Sequence, residues 1–256
     1  NIGLDSLVFI DDNPVERASV KMALPAVNVP EFPSNPVLLE SFIRAVARDY
    51  FPMLRLTAED LKKSEQYRTE QMRIEEKQKF TNLNDYLASL NMKLHICEVG
   101  DEDIARTAQL TQKTNQFNLT TQRYTEADIR HMCQSSDWKL WIGELEDRFG
   151  KYGKIILCLV KLDGTTAYVD TFLMSCRVMG RGVEAAFLDT IEQRLAASSI
   201  KQIKAKFLAT PKNSMTRDFW SQYGYQEIDR TETDRFFCKI LPSAPLQYVS
   251  VTVLGG

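Results

Sequence analysis

Apolar residues recur along this chain with two periods, and the places where the period changes mark its parts. A short continuous apolar run over 6–10 ends in Asp11 and Asp12, the pattern of a buried parallel strand. A helix is predicted over 14–22, with Asn13 as N-cap and Pro14 in its first position. Pro25, Pro30, Pro33 and Pro36 then impose an extended crossing, and a second helix follows over 38–49. The stretch 57–80 is charged and free of Gly and Pro, and Thr57 with Asp60 forms a capping box at its start. It predicts a long exposed helix bridging two units, a spacer by composition.

Beyond it the periods alternate in one order. Strands are predicted over 93–99, 139–146, 154–162, 166–176, 202–209 and 235–240, and helices over 103–113, 125–133, 182–197 and 213–223. Gly150 and Gly153, then Asp163 with Gly164, supply the turns that make the middle three strands antiparallel. The tail from Leu246 to Gly256 allows a further edge strand. A buried strand cannot open a domain alone, so neighbours for 6–10 are expected upstream of residue 1.

Composition narrows the class. The 256 residues are 44% hydrophobic and 26% charged, which describes a globular chain with a full core. Lys and Arg number 32 against 34 Asp and Glu, a net charge of −2, so no global basic field draws in nucleic acid. No apolar window is long enough for a membrane span, and no leader pattern opens the chain. Five scattered cysteines without a CxxC pair suit neither a zinc site nor a disulfide framework, and fit a reducing cytoplasm. His95 and His131 have no nucleophile motif beside them.

Chemistry concentrates in two places. Between the fourth strand of this unit and its next helix stands "SCRVMGRGVE", in which Arg177, Gly180 and Gly182 form an RxxGxG loop and Arg181 adds a second cation. Glycines there let backbone N–H groups turn toward an anion, and the helix N-terminus adds partial positive charge. The second place is "LTQKTNQFNLTTQRYTEADI", whose amides and hydroxyls suit many hydrogen bonds to a polar neutral group, or equally a loop capped by its own side chains.

The loop and the strand order resemble the GNAT acyltransferases. The resemblance implies that the backbone of Met174, Ser175 and Cys176 faces pantetheine, that 177–182, including Val178, faces phosphate, and that Asn213 lies near the closing helix. It also implies an acceptor pocket lined by Asn115, Gln116, Asn118, Thr120 and Thr121. Trp220 stands where many such enzymes carry a general-acid tyrosine, and Tyr223 falls on another helix face. Asp170, on the strand before the loop, is the candidate base.

"VFIDDNPVER", "QLTQKTNQFNLTT", "EDRFG" and "SCRVMGRGVE", in this order, are similar to the C-terminal portion of FkbH-like proteins. That resemblance implies the remnant of a HAD-like Rossmannoid domain over 1–55, a linking helix over 56–92 and a GNAT-like mixed sheet with flanking helices over 93–256. It implies an acyl carrier protein as partner, coenzyme A or carrier-bound phosphopantetheine as cofactor, and formation of a glyceryl thioester from bisphosphoglycerate for methoxymalonyl extender units. Asp11 and Asp12 match the acidic motif that holds Mg²⁺ in the complete HAD domain. The HAD nucleophile motif and the family's acyl-accepting cysteine are not among these residues, so no phosphatase or glyceryl transfer is expected from this chain alone. Three roles stay open for the GNAT-like unit: a docking module for the carrier's arm, an acyltransferase, and a scaffold. A locally basic set of Arg177, Arg181, Lys201, Lys204, Lys206, Lys212 and Arg217 suits an acidic carrier, or is simply a solvated face.

Overall fold

In a computed structural model, which describes residues 3–51, 63–248 and 250–254, the chain divides into two units, 1–56 and 57–256. In the first, Asn13 caps α1 (Pro14–Ala23) by accepting from the Val15 N–H, and Pro14 opens the helix as expected. α2 (Leu39–Tyr50) follows a short turn at Pro36–Leu38. The run 6–10 does not form the expected strand. It is extended chain with a single parallel bridge, Val8 to Asn28, and Leu7 stays exposed: one neighbour on one side is too little for a ladder. Asp11 accepts from the Asn13 N–H, and the Arg17 guanidinium binds the carbonyls of Asp11 and Asp12.

The second unit is a mixed sheet of eight strands with helices on both faces. In chain order its elements are α3 (Lys63–Lys77), α4 (Leu83–Ser89), β1 (Met92–Glu98), α5 (Ile104–Lys113), α6 (Glu126–Gln134), β2 (Trp138–Asp147), β3 (Gly150–Asp163) and β4 (Thr166–Met174). Then come α7 (Val183–Ala197), β5 (Gln202–Leu208), α8 (Phe219–Gln222), β6 (Gln226–Arg230), β7 (Asp234–Ile240) and β8 (Val251–Leu254). The sheet order is β6-β7-β5-β4-β3-β2-β1-β8, parallel only at β4/β5 and β1/β8. β3 lies at the centre: residues 155–160 are fully buried because both faces are covered. One face packs Phe172, Phe187, Phe219 and Trp220 under α7 and α8, and the other packs Ile104, Ile129, Ile142 and Leu173 under α5 and α6.

α3 is more than an exposed spacer. Arg73, only 3% exposed, makes a bidentate pair with the fully buried Asp147 at 2.7 and 2.9 Å. Asp147 also accepts from the Tyr152 hydroxyl and from the N–H groups of Phe149 and Gly150. The helix is thereby riveted to the β2–β3 hairpin. The capping box at Thr57 and Asp60 lies outside the described residues.

The predicted helix over 213–223 is only a turn at Ser214–Thr216 followed by α8, because the Thr216 hydroxyl bonds the Asn213 carbonyl and competes with helical pairing. At the sheet edge Glu227 accepts from Arg230 and Arg235, which hold its carboxyl at about 2. A depressed carboxylate stabilises the fold above its unfolded value near 4.5 and loses that contribution as pH falls toward 2. Glu227→Gln is therefore expected to flatten the fall of the thermal midpoint across that window, and an unchanged slope would contradict the pairing.

Candidate functional site

The site is built where β4 and β5 part. They pair only from Thr166↔Gln202 to Val169↔Ala205, after which each runs on separately. At that point β4 carries a bulge: Thr171 faces Leu159 and Val169 faces Val160, so Asp170 has no partner in register on β3. Bulges of this kind re-aim a side chain. Asp170 Oδ2 accepts from the Tyr124 hydroxyl at 2.6 Å and from the Thr171 hydroxyl at 2.9 Å. Burial, and then the Asp170 carboxyl, push the Tyr124 phenol well up, so it stays protonated and donates. Tyr124 is itself fixed by its N–H to the Thr111 hydroxyl at 3.1 Å. Its role was not apparent in the sequence, where it is merely the residue after a polar loop.

From Met174 the chain turns through Cys176–Val178 into the glycine loop. Gly180 (φ 74°) and Gly182 (φ 76°) both occupy the left-handed region, and Gly182 caps α7. A Cβ at Gly180 would meet nothing within 4 Å, so backbone conformation, not crowding, demands the glycine. Among the described residues, the amides of Gly180, Arg181 and Gly182 donate to no protein backbone acceptor, and the first amides of α7 have none within the helix by geometry.

The two arginines divide their work. Arg177 lies on the exposed side, reaching the Ser175 hydroxyl at 3.2 Å and the Tyr152 carbonyl at 3.4 Å. Arg181 turns inward: it bonds the Tyr152 hydroxyl, lies 3.9 Å from both Asp147 and Glu70, and its side chain is only 11% exposed. It braces the loop from below, and of the two only Arg177 is an exposed residue. Val178 is fully buried, leaving only its backbone for a ligand. Cys176 is exposed, and the Ser175 N–H is taken by the Ile155 carbonyl.

Several expected binding side chains are occupied within the fold. Asn118, fully buried, donates to the Thr114 carbonyl and accepts from the Thr120 and Thr121 N–H groups. Asn213, also fully buried, accepts from the Thr210 N–H and donates to the Asn118 and Leu208 carbonyls. Both carboxamides build the loop. Asn115 accepts from Arg123, and Thr121 donates to the Thr120 carbonyl from a left-handed backbone. Gln116 is exposed, and the Thr120 hydroxyl is buried without a protein partner.

Trp220 is 1% exposed and its indole N–H goes to the Lys206 carbonyl, so it delivers no proton to a ligand. Tyr223 meets Phe219 edge-on at 4.8 Å, and burial, then the Glu184 carboxyl, push its phenol up to about 12. Burial likewise raises Glu184, in the first turn of α7, whose Oε2 has no protein partner. Lys204 and Lys206 alternate with buried residues on β5, as a solvated strand face does. A separate cavity of about 420 Å³ opens past the end of β5, lined by Thr210, Ser214, Arg217, Arg230 and Arg235 among others. In the first unit, Asp11 and Asp12 gain no third ligand: among the described residues no cluster of three or more His, Cys, Asp or Glu could hold a metal. Two carboxylates alone do not fit the oxygen-rich set Mg²⁺ needs.

Neither protein-family models nor curated proteins match this chain. Among solved structures, the ribosomal-protein-S18-alanine N-acetyltransferase of Escherichia coli is similar over 59% of this chain and 96% of its own, at 11% identity and a TM-score of 0.46. A GNAT-family acetyltransferase of Staphylococcus aureus Mu50 is similar over 58% and 99%, at 13% identity and 0.46. The PaiA N-acetyltransferase of Thermoplasma acidophilum, solved with coenzyme A, is similar over 57% and 98%, at 12% identity and 0.46. These likenesses concern the fold alone, and the chemistry has to come from the chain's own residues.

Proposed function

We propose that the second unit binds phosphopantetheine, on coenzyme A or on an acyl carrier protein, with its phosphate end at 177–182 and its arm toward the parting of β4 and β5. One observation carries this reading: the strand that leaves its neighbour at Val169 runs directly into two left-handed glycines ahead of a fifteen-residue helix. That joins a strand edge released by its neighbouring strand to an anion-ready helix start. Asp170, held by Tyr124 at the bulge, is the acid–base centre of an acyl transfer from the thioester. The carboxylate takes the acceptor's proton as the acyl C–S bond breaks and passes it to the departing thiolate, and the Tyr124 hydroxyl keeps it oriented.

In this reading the chain is the C-terminal part of an FkbH-like protein, its partner is an acidic carrier protein, and Arg177 is the contact that carrier's phosphate meets first. The five cysteines are unpaired, and among the described residues no helix is long and apolar enough to cross a membrane, which suits work in the cytoplasm.

Two experiments test the reading. Calorimetry with holo and apo forms of a carrier protein should show tighter binding of the holo form, weakened about tenfold or more by Arg177→Ala, as a lost charge-assisted contact requires; equal binding of both forms would exclude recognition of the arm. Acyl transfer to an amine or hydroxyl acceptor should fall about 100-fold in kcat for Asp170→Asn with coenzyme A affinity unchanged. Binding without turnover in the unaltered chain would make the unit a docking module.

A further inference from the structure

The edge of β4 that the proposed function assigns to the pantetheine arm is already occupied, by the chain itself. Beyond Val169, the Phe172 carbonyl and Met174 N–H lie on the side facing away from β3, because Ser175 and Leu173 direct their groups toward it. Into the gap left by β5 runs the segment 117–119. The Leu119 N–H donates to the Phe172 carbonyl at 3.1 Å, and the Met174 N–H donates to the Phe117 carbonyl at 2.9 Å. On its other side the Leu119 carbonyl accepts from the Leu208 N–H at 2.8 Å. Asn118 bridges Leu173 between them. Three residues thus form an isolated bridge that stitches the parted strands together.

The segment is held at several points. Asn118 and Leu119 are fully buried and Phe117 is 7% exposed. The Phe117 ring meets Phe219 edge-on at 5.5 Å and lies 6.4 Å from Phe172. The Asn118 carbonyl accepts from Asn213, and its side chain ties the two ends of the loop. Gln116, the preceding residue, is exposed.

We infer that 117–119 is a gate: it occupies the place of the pantetheine arm, and a ligand bound at 177–182 seats its arm only by displacing it. This rests on the function proposed above. The chemistry of the exchange is balanced, because a pantetheine arm carries amides, and an amide offers the same donor and acceptor that Leu119 and Phe117 now supply to β4. A backbone edge satisfied in both states has no buried polar group left unpaired in either. The affinity measured for the ligand is then the intrinsic one reduced by the fraction of molecules that are open.

Amide hydrogen exchange with and without saturating coenzyme A, on the unaltered chain, tests this directly. On binding, the amides of Leu119 and Leu208 should exchange about tenfold faster or more as their partners leave, while that of Met174 stays protected by the ligand. In parallel, Asn118→Ala removes the side chain that ties the loop and should bind coenzyme A about tenfold more tightly, because more molecules are open. Coenzyme A bound by calorimetry with Leu119 as protected as before would overturn the gate and leave the binding site standing. Binding by Asn118→Ala and not by the unaltered chain would support the gate in its tightest form. Binding by neither would overturn the functional reading, and the gate with it.

Discussion

Asp147→Ala is expected to destabilise the chain by about 3–5 kcal/mol, because it leaves a buried guanidinium without its partner. Asp147 is fully buried and collects five donors: Arg73 twice, the Tyr152 hydroxyl, and the N–H groups of Phe149 and Gly150. Arg73 lies 3.9 Å above the Tyr152 ring, and Arg181 approaches the same ring at 5.0 Å. Removing the carboxylate strands two cations around one phenol, and burial keeps that phenol protonated and unable to replace the lost charge. Urea unfolding should show the midpoint fall with the slope nearly constant. Glu76→Ala, which removes the partly exposed partner of Arg148, is the contrast and should leave the midpoint nearly unchanged. If the two substitutions cost the same, Asp147 is not the rivet between α3 and the hairpin. Because Arg181 belongs to the same cluster, Asp147→Ala should also loosen the glycine loop.

Gly182→Val has the second large effect, and it falls on binding. Gly182 is left-handed at φ 76°, and a β-branched residue there costs at least about 1–2 kcal/mol. The chain can relieve this only by rotating the peptide groups whose amides face the proposed phosphate. Coenzyme A affinity should therefore fall tenfold or more. Gly164→Val carries a similar strain in the β3–β4 turn, with φ 55° and nothing within 4 Å of its Cβ, and should leave affinity untouched. Equal losses in both would mean that general destabilisation, not the loop, is responsible.

How far the sequence reached depends on which signals survive folding. The central sheet was legible because 155–160 is an unbroken apolar run flanked by glycine turns, and burial on both faces is the one way to satisfy it. β6 was not, since its residues 226–230 are mostly exposed at an edge and carry no alternation. Arg73 looked like one more solvated charge in a charged helix; nothing local distinguishes it from its neighbours, and its partner lies 74 residues away. The motif around Asp147 stands out in the sequence for a structural reason, a turn carboxylate that caps its own hairpin.

The candidate site divides in the same way. Gly180 and Gly182 announce a backbone requirement, and the structure places both in the left-handed region. The amides of the polar loop announce hydrogen bonding without saying to what, and Asn118 and Asn213 bond to the chain's own backbone. Asp170 was visible as a carboxylate on the right strand, but the bulge that presents it and the Tyr124 hydroxyl that holds it arise from pairing between distant segments.

The central claim is that the loop at the start of α7 receives the phosphate end of a pantetheine ligand. A calorimetric titration of this chain with coenzyme A, at low and moderate salt and beside pantetheine lacking phosphate, tests it most directly. Saturable binding of coenzyme A that weakens as salt rises is expected, with pantetheine alone far weaker. Binding of neither, or equal binding of both regardless of salt, would contradict it.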